Sequence, residues 1–99
     1  MAEPLLLFGW DTAKAESNER KHRISFKLAT TIFADPDVET FADFDHTGRE
    51  ESWYSIGLCD TGAVLIVVHT FSGTGLIGSI RIISARKATK TEIEVCTGS

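Results

Sequence analysis

The chain has 99 residues, 42% hydrophobic and 24% charged, with a net charge of −4. That size allows one domain with one core that needs neither metal nor disulfide, and the ordinary composition excludes wholesale disorder. A negative net charge argues against a general nucleic-acid binder, because phosphate contacts supply most sequence-independent affinity.

The charge is nevertheless divided. Acids crowd residues 35–51 and recur at Glu92 and Glu94, while bases crowd residues 14–27 and 81–90. Such a surface offers a basic patch to one partner and an acidic patch to another. The longest apolar stretch, residues 63–68, is far short of a membrane span. The opening, MAEPLLLFGWD, lacks the basic segment and length of a secretory signal. A cytoplasmic protein with no membrane partner is expected. Cys59 and Cys96 stand far apart with no zinc-like spacing, so two reduced thiols are expected.

Residues 5–10 (LLLFGW) read as a short strand. Asp11 is a good helix cap, since its carboxylate can accept from the open amides of the first turn. Residues 12–22 (TAKAESNERKH) are helix-compatible but poor in apolar side chains, so that helix is expected to be mostly exposed. Ser25 caps a second helix in which Phe26, Ala29 and Phe33 recur at helical spacing, and Asp35-Pro36-Asp37 ends it. Residues 38–41 form a short strand and 43–49 (DFDHTGR) a polar turn. Residues 52–58 form a strand, Asp60-Thr61-Gly62 a hairpin turn, and 63–71 a nearly continuous apolar strand expected in the middle of the sheet. A glycine-rich turn at 72–75 leads to a last strand, 77–85, and a final short helix over 89–95 capped by Thr89 or Thr91. The whole chain, 1–99, reads as one α+β domain: N-terminal helices packed on an antiparallel sheet of about four strands, with a short C-terminal helix. Tight hairpins between successive strands argue against a parallel sheet.

Four groups of side chains can carry chemistry. Lys21 and His22, with Arg20 and Arg23, end the first helix. Its dipole favours cations there, and histidine also suits proton transfer near neutral pH. Arg81, Arg86 and Lys87 lie on and just beyond the last strand. Regular alternation puts Arg81 and Arg86 on opposite faces unless the chain bends near Ala85. His69 ends the apolar strand, as a hydrogen-bonded core or rim residue or as a proton-transfer group. His46 sits among Asp43, Asp45, Glu50 and Glu51, whose spacing matches no standard metal site. Dinucleotide, P-loop and nucleophile-elbow motifs are absent, so these residues alone give a small α+β domain with a basic face.

Taken in order, the segments resemble a known family. Phe8-Gly9-Trp10-Asp11-x-x-Lys14-Ala15-x-x-Asn18-x-x-Lys21-His22-x-Ile24-Ser25-Phe26-x-x-Ala29 is similar to the opening of the BrnT toxins. Phe33-x-Asp35-Pro36, Asp45-His46, Ile56-Gly57 and Val67-Val68-His69-Thr70 follow in place. Ile80-Arg81-Ile82-Ile83-Ser84-Ala85-Arg86-Lys87-Ala88-Thr89 closes a match over about residues 8–92.

The resemblance implies a RelE-like fold that binds RNA on its sheet, metal-independent RNA cleavage that inhibits translation, and no cofactor. It implies a partner as well, a BrnA-type antitoxin that binds DNA through a ribbon-helix-helix. Cleavage without metal needs a base, an acid and cations on the developing charge. Lys21, His22, His69, Arg81 and Arg86 are the expected catalytic residues, and Arg20, Arg23 and Lys87 the expected RNA contacts. The chain departs from the family pattern at three places. Ser52 and Ser72 stand where arginines are common, and the last helix reads Glu92-Ile93-Glu94-Val95-Cys96 where basic residues and a tyrosine are usual. Two functional readings follow, an active ribonuclease and a weakened homologue that acts mainly by binding its antitoxin.

Overall fold

The computed structural model describes residues 5–42, 52–74 and 77–97. A strand, β1 (Leu5–Trp10), leads into helix α1 (Thr12–His22), whose cap is the Asp11 carboxylate accepting from the Lys14 N–H at 3.0 Å. Arg23 closes α1 in the left-handed conformation, φ 59°, with its N–H on the Glu19 carbonyl. The Ser25 hydroxyl caps α2 (Phe26–Thr30) by accepting from Leu28 N–H at 3.0 Å. The single helix expected through Phe33 is two pieces, because the chain tightens into a 3-10 turn at Thr31–Ala34 before Asp35-Pro36. Asp35 then ties this turn to the sheet by accepting from the Leu58 N–H at 2.8 Å.

The remaining strands are β2 (Glu39–Ala42), β3 (Trp53–Leu58), β4 (Val64–Thr74) and β5 (Ile77–Lys87), followed by α3 (Lys90–Thr97). The turn at 59–62 closes with the Gly62 N–H on the Cys59 carbonyl, and Gly62 supplies the positive φ of 90° that this hairpin requires. β4 and β5 are longer than the sequence suggests. Their ladder extends from Leu65↔Lys87 to Thr74↔Ile77 and absorbs most of the expected glycine-rich turn. The expected polar turn at 43–49, with His46 and Arg49, lies outside the described residues.

The sheet has five strands in the order β1-β5-β4-β3-β2. It is mixed, which corrects the expectation of an antiparallel sheet of about four strands. β2 to β5 form the antiparallel meander, but β1 lies parallel to β5, from Leu5↔Ile77 to Trp10↔Ile82. Hairpin signals report only sequential pairings. The β1–β5 pair joins the two ends of the chain, where no turn records it.

One face of the sheet carries the core: Leu65 and Val67 of β4 with Ile80, Ile82 and Ala85 of β5, packed with Ile24, Phe26, Ala29 and Ile32. From β1, Trp10 meets Phe26 edge-on at 6.1 Å and Phe8 meets Phe33 at 5.5 Å. Gly57 suits this packing, since a Cβ there would stand 3.1 Å from Val38 Cγ2 and 3.2 Å from Ile32 Cβ and press both aside by a few tenths of an ångström. Among the described residues no helix is long and apolar enough to cross a membrane, and Cys59 is a buried free thiol.

Candidate functional site

The sheet face away from α2 positions the candidate site, and an irregularity in β5 decides what it displays. Val68 pairs with Ser84 and His69 with Ile82, so Ile83 has no partner on β4. Two residues of β5 against one of β4 make a β-bulge, which shifts the alternation by one position. Ile80, Ile82 and Ala85 therefore all enter the core. Arg81, Ser84 and Arg86 share the open face, and the opposite-face geometry that regular alternation predicts does not occur.

Register builds this face in rows. Glu39, Ile56, Ile66 and Arg86 form one, Phe41, Tyr54, Val68 and Ser84 the next, and Thr70, Arg81 and Gly9 a third. Phe41 and Tyr54 stack at 5.2 Å and 28°. α3 comes down beside the first two rows and leaves a groove of about 610 Å³ between Tyr54 and Val95, floored by Ile56, Ile66 and Val68.

The arginines differ in their surroundings. Arg81 is exposed, and among the described residues no salt bridge engages it. Asp11 is close enough to feel its charge: the Asp11 carboxyl is held below its usual range, chiefly by the Lys14 amide, with Lys14 and Arg81 adding to the effect. Arg86 is bound within the molecule. Its Nη1 and Nη2 donate to the two Glu92 carboxylate oxygens at 2.8 and 2.7 Å. That pair, helped by the Thr89 N–H, pulls the Glu92 carboxyl down to about 2. Glu92 N–H in turn donates to Thr89 Oγ1 at 3.1 Å, the reciprocal half of a capping box. Thr89 is thus the cap of α3. The Thr-x-x-Glu spacing was the signal by which Glu92 could have been singled out.

His69 lies on the other side of the sheet, 2% exposed, with its ring edge-on to Phe33 at 5.3 Å. Its Nδ1 donates to the Thr70 carbonyl at 3.3 Å, which leaves Nε2 to accept from Ser55 Oγ at 2.7 Å. Ser55 in turn accepts from Thr40 Oγ1 at 2.7 Å. Burial pushes the His69 pKa down, and the chain of hydrogen bonds suits the neutral ring.

Arg20, Lys21 and Arg23 are exposed at the end of α1, and His22 is half-buried. No hydrogen bond or ion pair joins Lys21, His22, His69, Arg81 and Arg86 to one another among the described residues. What fixes α1 is Asn18, a position of the quoted family motif to which the sequence assigned no role. Its Nδ2 donates to the carbonyls of Ala85 at 2.8 Å and Ile24 at 3.1 Å, and its Oδ1 accepts from Ala85 N–H at 3.2 Å. β1 stops at the partner of Ile82, so Asn18 satisfies the β5 edge that the strand leaves open. α1 therefore runs along β5, from Asp11 near Arg81 to Asn18 on Ala85, with Lys21 and His22 a turn further. Lys87 is exposed at the strand's end.

No curated protein matches the sequence. A crystal structure of the Brucella abortus ribonuclease toxin BrnT superposes with a TM-score of 0.59 at 20% identity, covering 87% of this chain and 100% of that one. That likeness establishes the fold, a five-strand mixed sheet with three helices. A model of the family described as the ribonuclease toxin BrnT of type II toxin–antitoxin systems matches residues 10–92, and the chain belongs to that family.

Proposed function

We propose that this chain is a toxin that cleaves RNA by a metal-independent, RelE-like mechanism in the cytoplasm, inhibits translation, and is held by a BrnA-type ribbon-helix-helix antitoxin. The observation that carries the reading is the bulge at Ile83. It places Arg81, Ser84 and Arg86 on one open face, with the two arginines about 13 Å apart along the ladder. That spacing suits a run of RNA backbone rather than a single phosphate. In cleavage the 2′-oxygen attacks phosphorus as a base takes its proton, and the 5′-oxygen leaves with a proton from an acid. Charge that develops on the non-bridging oxygens of the scissile phosphate falls to Arg81, and Arg86 holds a neighbouring phosphate of the same strand. Lys21 and His22, on the helix that runs along β5, supply charge and proton transfer, and Arg20, Arg23 and Lys87 extend the cationic margin. His69, enclosed on the core side, acts through the order it imposes on β3 and β4.

A second reading, a catalytically silent chain that still binds its antitoxin, is favoured by the engagement of Arg86 with Glu92. One assay separates the two. Purified protein is expected to cleave single-stranded RNA in EDTA, and Arg81→Ala to lower the rate about a hundredfold. Cleavage lost in chelator and restored by magnesium or manganese overturns the metal-independent mechanism. No cleavage by a folded chain that co-purifies with the ribbon-helix-helix protein supports the second reading.

A further inference from the structure

The Arg86–Glu92 contact is built with more than one ion pair. Three N–H groups converge on the Glu92 carboxylate: both Nη atoms of Arg86 at 2.8 and 2.7 Å and the Thr89 N–H at 2.8 Å. The capping box holds Glu92 in the first turn of α3, so the carboxylate is aimed at Arg86 by the helix itself. Two parallel N–H···O bonds from one guanidinium to one anion form the geometry by which arginine also takes two oxygens of a phosphate. The contact is open to water, with the Arg86 and Glu92 side chains 42% and 33% exposed. An anion from solution can therefore reach the guanidinium, although the bidentate geometry makes this pair stronger than an ordinary surface one. It stands in the wall of the groove on the open face, beside Ser84 and Ile66.

Resting on the ribonuclease reading above, we propose that Glu92 is an internal stand-in for an RNA phosphate: it occupies the fork of Arg86 and sets the affinity of this face until a backbone phosphate displaces it. The displacement breaks two charge-assisted hydrogen bonds and makes two of the same kind, so the exchange turns on the relative strength of the anions. α3 is thereby an autoinhibitory element as well as a wall of the groove. Arg81, two rows beyond, has no such competitor among the described residues and makes first contact.

The test uses the full chain and a short fluorescent single-stranded RNA, with affinity read by anisotropy at low salt in EDTA. Glu92→Gln removes the charge but leaves an amide oxygen that still accepts from Thr89, so the cap survives. It is expected to tighten binding roughly tenfold, the ratio that corresponds to about 1.4 kcal/mol. Adding Arg86→Ala to Glu92→Gln is expected to erase the gain. Glu16→Gln, the same charge change on the exposed side of α1, is the control. An equal gain from Glu16→Gln, or a gain that survives Arg86→Ala, overturns the stand-in role and leaves only a net-charge effect. Wild-type affinity in Glu92→Gln, with weakened binding in Arg81→Ala, overturns it while the RNA reading stands. Absence of RNA binding in both wild type and Glu92→Gln overturns the ribonuclease reading, and the stand-in role with it.

Discussion

Asn18 and His69 show how much of this site's support lies in single polar side chains inside the core. Asn18 satisfies both backbone groups of Ala85 and the Ile24 carbonyl, and its removal takes this partner from one buried donor and two buried acceptors. Asn18→Ala is therefore expected to cost about 3 kcal/mol, from about 1–3 kcal/mol for each orphaned group, and urea unfolding measures it. A loss below about 1 kcal/mol would mean that water replaces the amide. His69 gives a pH dependence. Burial lowers its pKa in the folded chain, so below pH ~6.5 the unfolded histidine binds a proton that the folded ring resists. Stability from this residue is present above the unfolded pKa and lost as pH falls towards the folded one. Between pH 7 and pH 5 the wild-type urea midpoint should fall more steeply than that of His69→Gln, which keeps an acceptor for Ser55 but cannot titrate. Parallel midpoints in the two proteins would show that His69 gains its proton as easily folded as unfolded.

At the level of elements, the bulge is the feature on which the open face depends. Inserting one residue between Val68 and His69 gives Ile83 a partner and restores simple alternation, and residues 84–87 then exchange faces. Ala85 leaves the core and Arg86 enters it, where a guanidinium has no partner. Burying an unpaired charge costs more than a domain of this size can spare, so the insertion is expected to abolish a cooperative thermal transition followed by circular dichroism. A folded insertion variant would mean that the added residue is itself bulged out and the slip is kept. Local chemistry was legible in the sequence: Asp11, Ser25 and Thr89 cap the helices as their side chains dictate, and the hairpin at Asp60-Thr61-Gly62 stands where Gly62 allows a positive φ. What was not legible is non-local. No turn announces that β1 pairs with β5, and no residue type marks Ile83 as the unpaired position. Asn18 reads as one more polar helix residue until its partner 67 positions away is known. The candidate arginines were legible as residues, but their shared face was not, because the face depends on that bulge.

Over the whole molecule, a net charge of −4 sets the long-range field against RNA, so binding must rest on a few close contacts. Each phosphate neutralised contributes about −0.7 to the slope of log K against log salt for single strands. With Arg81 available and Arg86 held by Glu92, the wild-type slope should be shallow, between about −0.7 and −1.4 for one to two phosphates. Ser52 is the place to change that. Continuing the β3 alternation one residue back puts it on the Tyr54 side, and continuing the β3–β4 register sets it against Thr70, whose other neighbour is Arg81. Its hydroxyl is buried and has no hydrogen-bond partner among the described residues, so no polar contact described there is lost by replacing it. Ser52→Arg would add a second guanidinium to the row of Arg81, on the side away from the Glu92 contact. It should steepen the salt slope by about 0.7. It should also raise the cleavage rate roughly tenfold, because about 1.4 kcal/mol of added transition-state stabilisation is a factor of ten. The two readouts separate binding from chemistry. A steeper slope with an unchanged rate would mean that the new arginine meets a phosphate other than the scissile one. An unchanged slope in a folded variant would show that position 52 does not face the RNA, and Arg81 would then stand as the one cation this row supplies.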